Sequence, residues 1–120
     1  MKLTSLNALA LAAVTLLLGC TPQPEKPFTE VLREALETAS PRDVIEVPAG
    51  TYNIKRSLIL NTDNVTLRGA GMDQSILNFK GQVAGAEGLS VNASNFLIED
   101  LAIEDSVGDA LKINEGDNIT

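Results

Sequence analysis

The chain has 120 residues, 16 acidic side chains against 9 basic ones, and a formal net charge of −7 at neutral pH. This acidic balance argues against a nucleic-acid partner, because the protein would have to approach a polyanion. The chain has no histidine, which excludes imidazole catalysis and most zinc sites, and its single cysteine cannot form an internal disulfide.

Residues 1–19 have the pattern of an export signal. Lys2 precedes an apolar run from Leu3 to Leu18, and this run is short for a membrane span. Without residues 1–19, about a hundred residues remain, enough for one small domain. Their removal takes away one basic residue and leaves 8 basic against 16 acidic ones, so the exported part carries a net charge of −8.

The signal ends in Leu17-Leu18-Gly19-Cys20, with a small residue directly before the lone cysteine. This ending resembles the lipoprotein box of bacterial lipoproteins, although Leu18 stands where that family usually has a small residue. The resemblance implies that Cys20 is acylated and binds membrane lipid, and several acyl chains anchor a protein stably. By the same resemblance, the non-acidic Thr21 after the cysteine implies a location in the outer membrane of a bacterial cell envelope. The alternative is an ordinary secretory signal with an incidental cysteine.

A tether and a helix are predicted next. Residues 20–27 contain three prolines and predict a short, stiff, lipid-anchored tether. Residues 28–42 predict an amphipathic α-helix that ends at Ser40-Pro41. Its apolar positions follow helical spacing: Phe28, Val31, Leu32, Ala35, Leu36 and Ala39.

Residues 43–120 repeat a β-like pattern. Segments 57–67, 88–98 and 110–120 begin 31 and 22 residues apart, and each alternates apolar residues before two asparagines. Asparagine tolerates the left-handed backbone and can hydrogen-bond to its equivalent in the next coil, so stacked coils would form two ladders. The ladders are Asn61, Asn92, Asn114 and Asn64, Asn95, Asn118. Replacing Thr62, which lies outside both ladders, is expected to change stability little.

These repeats resemble the N-terminal part of a parallel β-helix of the pectate-lyase-like superfamily, over residues 28–120. The resemblance implies an all-β fold, a right-handed single-stranded parallel β-helix (a solenoid), with the helix at 28–42 capping the first coil. The chain stops inside a predicted strand, so we expect a longer β-helix truncated at its C-terminus. A β-sandwich is the competing fold, but it needs no asparagine at three matched positions. The Asn-x-Ser/Thr triplets at Asn64, Asn92 and Asn118 fit turn chemistry better than glycosylation.

The densest charge cluster consists of Glu99, Asp100, Glu104, Asp105 and Asp109. Related β-helix lyases hold Ca²⁺ on outward carboxylates, so the resemblance implies that these residues are candidate cation or ligand contacts, with Ca²⁺ as the candidate cofactor. No EF-hand-like or RTX-like motif accompanies them. The simpler interpretation is a solvated acidic edge that keeps the sheet soluble.

Two further features lie near these carboxylates. Arg68 aligns with Glu99 in the repeat, which predicts an ion pair between coils. Residues 68–87 are nine residues longer than the matching stretch 99–109. We expect Ser75 to Phe79 to form a strand, and 81–87 to form a protruding loop that is a candidate for ligand contact.

Two classes of function remain open. One is an envelope protein that binds polysaccharide or, in a full-length parent, modifies it by lyase, epimerase or hydrolase chemistry. The other is a non-catalytic β-helix that acts as a structural or adhesive rod, and the fold alone cannot choose between them. No residue set in the chain combines a general base with a cation site, so no catalytic residue is assigned. We expect these 120 residues alone to turn over no polysaccharide.

Overall fold

The computed structural model describes residues 24–120. The predicted export signal, Cys20 and the first half of the tether (20–23) therefore lie outside the described residues. Residues 24–120 form one helix and nine strands, and the helix ends at Glu37, two residues before Ala39, the last position of the predicted apolar stripe. The elements are α1 Phe28–Glu37, β1 Val44–Val47, β2 Gly50–Asn53, β3 Arg56–Leu60, β4 Thr66–Gly69, β5 Ser75–Asn78, β6 Ala84–Asn92, β7 Leu97–Glu99, β8 Ala102–Glu104 and β9 Leu111–Glu115.

The strands form three parallel sheets of three strands each. The orders are β1-β4-β7, β2-β5-β8 and β3-β6-β9, so each strand pairs with the strand three elements later in the chain. We call β1–β3 coil 1, β4–β6 coil 2 and β7–β9 coil 3. Parallel pairing in this order is compatible with a parallel β-helix, and it is not the antiparallel pairing that a β-sandwich requires.

The core lies between the three sheets, where the inward residues of successive coils stack in register. Leu58, Leu89 and Leu111 form one such column; the first two are fully buried and Leu111 is half-buried. Phe79 and Phe96 are the largest side chains that are fully buried. The alternation of inward and outward residues in β3 and β6 agrees with the sequence pattern.

Helix α1 covers the coil 1 side of this core. Leu32 and Leu36 lie four residues apart on its inner face and are both buried, as the helical spacing predicts. Pro27 occupies the N-cap position, and no side chain caps the helix there. Beyond the other end, the Thr62 hydroxyl donates a hydrogen bond to the Ala39 carbonyl at 3.0 Å. Thr62 therefore ties the chain after the helix to coil 1, a contact that the sequence did not predict.

The segment 81–87 is only partly the protruding loop that was predicted. Strand β6 begins at Ala84, and a register shift between Arg56 and Leu58 takes up three of the extra residues as a bulge. Gln82 Nε2 donates to the carbonyl of Glu87 at 2.9 Å, and the Ser57 hydroxyl donates to the same carbonyl at 2.6 Å. The loop prediction is wrong for 84–87, because these hydrogen bonds and the strand pairing hold the segment against β3.

Candidate functional site

The first set of predicted asparagines is joined between coils 1 and 2. Asn92 Nδ2 donates to Asn61 Oδ1 at 2.7 Å. Asn114 lies outside this column, because a register shift after Val91 places Glu115 opposite Asn92. Asn114 instead donates to the Ser90 hydroxyl at 2.7 Å. It therefore still links coil 3 to coil 2, but through a serine.

The second set of asparagines occupies the corners of the coils. Asn64, Asn95 and Asn118 have φ angles of 62°, 55° and 56°, in the left-handed region that asparagine tolerates. Asn118 Nδ2 donates to Asn95 Oδ1 at 2.9 Å. The backbone N–H of Asn64 donates to the carbonyl of Ser94, one coil away, at 3.0 Å. These residues shape and connect turns between strands.

The predicted acidic cluster is spread over several elements. Glu99 lies at the end of β7, where its carboxylate accepts a hydrogen bond from Arg68 Nε at 3.3 Å, as the repeat predicted. Asp105 accepts a hydrogen bond from Asn78 Nδ2 at 2.9 Å. Asp100 and Asp105 both occupy turns with a φ of 57°.

The two remaining acidic residues are exposed and stand apart. Glu104 ends β8, and Asp109 lies in the turn before β9. Within residues 24–120, no group of three or more His, Cys, Asp or Glu side chains could hold a metal ion. The candidate Ca²⁺ contacts are therefore not gathered into one site in this part of the chain.

A cleft of about 560 Å³ lies between the N-terminal end of α1, the corner between β2 and β3, and the segment before β6. We call it the basic cleft. Its lining residues are Pro27, Thr29, Glu30, Arg33, Asn53, Ile54, Lys55, Arg56, Leu58 and Val83. The residues come from three separate stretches of the sequence, so no local motif marked the site.

The charge of the basic cleft is opposite to that of the chain. Arg33 is paired with Glu30 across one turn of α1. Lys55 and Arg56 are exposed, and neither forms an ion pair with any of the residues 24–120. The lining therefore carries two basic charges beyond its internal ion pair, in a chain whose net charge is −7.

The aromatic side chains are all occupied in packing. Phe79 and Phe96 are fully buried, and the rings of Phe28 and Tyr52 pack with their centroids 4.6 Å apart. The Tyr52 hydroxyl donates to the carbonyl of Pro48 at 2.9 Å. The chain has three phenylalanines, one tyrosine and no tryptophan, and the half-buried Phe28 and Tyr52 are the two aromatic residues that keep some exposed surface.

One surface ion pair shifts two pKa values. Lys112 on β9 donates to the carboxylate of Glu87 on β6 at 3.0 Å. This hydrogen bond and the charge of the ammonium group lower the pKa of Glu87 below its ordinary value of 4.5. The same contact raises the pKa of Lys112 above 10.5. The pair therefore joins coils 2 and 3 across the third sheet over the whole neutral range.

Comparison with protein families, curated proteins and solved structures finds no match to this chain. The helix in the part of the chain that the structure describes is too short and too polar to cross a membrane.

Proposed function

We propose that the chain belongs to a lipid-anchored bacterial envelope protein, whose right-handed parallel β-helix domain binds polysaccharide. The observation that carries this proposal is the strand order, in which every strand from β4 onward pairs in parallel with the strand three elements before it. Such stacking supports a solenoid with three outward faces on which equivalent side chains line up from coil to coil.

The outward columns carry the hydrogen-bonding groups that sugar hydroxyls need. On the first sheet, Glu46, Arg68 and Glu99 stand in register. On the second sheet, Asn53, Asn78 and Glu104 stand in register. Guanidinium groups donate, carboxylates accept, and amides do both, so a hydroxyl-rich polymer finds partners at each coil. The acidic first face favours a neutral polysaccharide, or an acidic one bridged by Ca²⁺.

The second candidate function is a structural or adhesive rod without a polysaccharide ligand. The buried or packed state of all four aromatic residues favours it, because aromatic platforms supply much of the contact area at many binding sites. Both candidates share the lipid anchor at Cys20, so the anchor does not distinguish them.

Affinity electrophoresis tests the choice between the two functions. The full chain with Cys20→Ser, which prevents acylation, is run through gels containing pectate, alginate or a neutral glycan, with and without Ca²⁺. The polysaccharide proposal predicts retardation by one of these polymers, weakened by Arg68→Ala on the first face and unchanged by Lys80→Ala outside it. Migration that no polymer alters would contradict the polysaccharide proposal and support the rod.

The anchor has its own test. In a bacterial host, the wild-type chain should carry acyl chains on Cys20 and sediment with membranes, whereas Cys20→Ser should be recovered in the soluble fraction. If the serine variant stays in the membrane fraction at an unchanged size, the proposed anchor is wrong.

A further inference from the structure

We propose that the basic cleft binds the phosphate headgroup of an anionic phospholipid in the membrane that holds the protein. The proposal rests on the proposed lipid anchor at Cys20, and it adds a second, electrostatic contact with the same bilayer. It also assigns a role to Lys55 and Arg56, which no part of the proposed glycan-binding faces uses.

The charges of the cleft suit a phosphate group. Lys55 and Arg56 supply two basic groups without ion pairs among the described residues, and a guanidinium group matches phosphate oxygens in a bidentate contact. Asn53 and Thr29 add an amide and a hydroxyl donor to the lining. No side chain caps α1 at Pro27, and the Glu30 N–H already donates to the Pro27 carbonyl at 3.0 Å, so the N–H groups of Phe28 and Thr29 are the ones available there.

The backbone that carries the two basic side chains is held in place. Ile54 is 3% exposed and its N–H donates to the carbonyl of Asn78 in the next coil at 2.8 Å. The carbonyl of Lys55 accepts hydrogen bonds from the N–H groups of Val83 at 2.8 Å and Ala84 at 3.3 Å. The corner is therefore ordered before a ligand arrives, so binding costs mainly the freedom of the long side chains.

The position of the cleft in the chain favours a lipid headgroup over a soluble anion. Pro27 lines the cleft and lies seven positions after Cys20 in the chain. Seven residues span at most about 25 Å, so an acylated Cys20 keeps the cleft within that distance of the bilayer surface. Val83, at the edge of the cleft, is 78% exposed, and an apolar side chain beside basic ones suits the headgroup boundary.

The net charge of the chain makes the proposal specific to the cleft. A chain with a charge of −7 is repelled as a whole by an anionic membrane, so attraction must come from a local group of basic residues. Screening limits this attraction to about 8 Å at physiological ionic strength. Basic residues elsewhere on the surface should therefore contribute little.

Vesicle sedimentation tests the proposal on the exported part of the chain, residues 20–120 with Cys20→Ser, so that neither the apolar signal nor an acyl chain contributes. The vesicles are either phosphatidylcholine alone or an equal mixture with phosphatidylglycerol. We compare K55Q/R56Q with R42Q/K80Q, which changes the net charge by the same amount at exposed residues outside the cleft. Circular dichroism and the melting temperature of each variant establish that the compared chains are folded.

The expected result is binding to the anionic vesicles alone, weakened about 30-fold by K55Q/R56Q and less than about threefold by R42Q/K80Q. Equal weakening by both double variants, or equal binding to neutral vesicles, would overturn the proposal. So would binding of inorganic phosphate or a soluble acidic glycan at the cleft without vesicle binding. Acylation of Cys20 is measured on the wild-type chain, so failure of the anchor and failure of the cleft give different results.

Discussion

Coil 2 and coil 3 carry the same alternating pattern, but they bury it to different extents. Three inward residues of coil 2 are fully buried, and their register partners in coil 3 are half-buried. The pairs are Leu67 and Ile98, Leu77 and Ile103, Leu89 and Leu111. Coil 2 has a coil on either side, whereas coil 3 pairs with coil 2 alone among the described strands. Burial in this stack therefore comes from the neighbours of a coil more than from its own residues.

At coil 1, helix α1 buries the inward residues that a second neighbouring coil would otherwise bury. Leu58 and Leu60 of β3 are fully buried although coil 1 has only one neighbouring coil, because α1 lies over that side of the core with Leu32 and Leu36. One amphipathic helix thus takes the place of a neighbouring coil.

The largest difference in stability is expected between alanine variants of two leucines in the same column. Leu89→Ala opens a cavity at a fully buried position and should lower the free energy of unfolding by about 2–5 kcal/mol. Leu111→Ala removes the same atoms from a half-buried position and should cost about 1–2 kcal/mol. Urea unfolding of both variants measures the difference. Equal losses would mean that the two coils are packed alike.

The next largest effect on stability is expected at Gly69, a glycine at the contact between coils 2 and 3. A Cβ on Gly69 would lie 2.0 Å from the carbonyl oxygen of Asp100, so the two coils would have to separate. Gly69→Ala should therefore cost about 1–3 kcal/mol. Gly81 has no neighbouring atom within 4 Å of such a Cβ, and Gly81→Ala should change stability by less than about 0.5 kcal/mol. Thermal unfolding of the two alanine variants measures this difference in stability. A Gly81→Ala variant that is destabilised as much as Gly69→Ala would contradict the explanation by contact between the coils.

The asparagine hydrogen bonds should contribute less to the free energy of unfolding than the packing of the core does. Asn92→Ala removes the hydrogen bond to Asn61 between coils 1 and 2, and we expect a loss of about 1 kcal/mol. Asn114→Ala removes the bond to Ser90 at the more exposed coil 3, and we expect a loss of a few tenths of a kcal/mol, about 0.3. Chemical denaturation curves measure the free energy of unfolding of the two variants. A larger loss of unfolding free energy for Asn114→Ala than for Asn92→Ala would show that the asparagine pair between coils 1 and 2 is not the more stabilising contact.

The smallest effect is expected from the ion pair between Lys112 and Glu87. Because the pair lowers the folded-state pKa of Glu87, its stabilisation is complete above the ordinary carboxyl pKa and disappears as pH falls through the lowered value. Because the pair also raises the pKa of Lys112, the stabilisation is lost again only at strongly alkaline pH. Lys112→Gln should thus be slightly less stable than the wild type at pH 7 and equal to it at strongly acidic pH. A difference between the two chains that persists in acid would contradict this assignment.

The residues of the repeat predicted much of the fold, because its period is local. The inward alternation, the corner asparagines and the pairing of Arg68 with Glu99 all follow from aligning one segment with the next. The contact of Thr62 with Ala39 was not predictable, since its partner lies outside the repeat. The basic cleft was missed for the same reason: Lys55 and Arg56 are visible in the sequence, but their position against α1 depends on tertiary packing.

Disulfide cross-linking across the third sheet tests the central claim, the parallel stacking of coils, most directly. In a Cys20→Ser background, cysteines replace Ile59, Ser90 and Lys112 in pairs; these residues are register neighbours on β3, β6 and β9. Adjacent strands place Cα atoms about 4.8 Å apart, within disulfide range, whereas strands two apart are separated by about 9.6 Å. We predict rapid oxidation of the 59–90 and 90–112 pairs and none of the 59–112 pair. A disulfide between 59 and 112, or none between adjacent positions, would contradict the stacked-coil account.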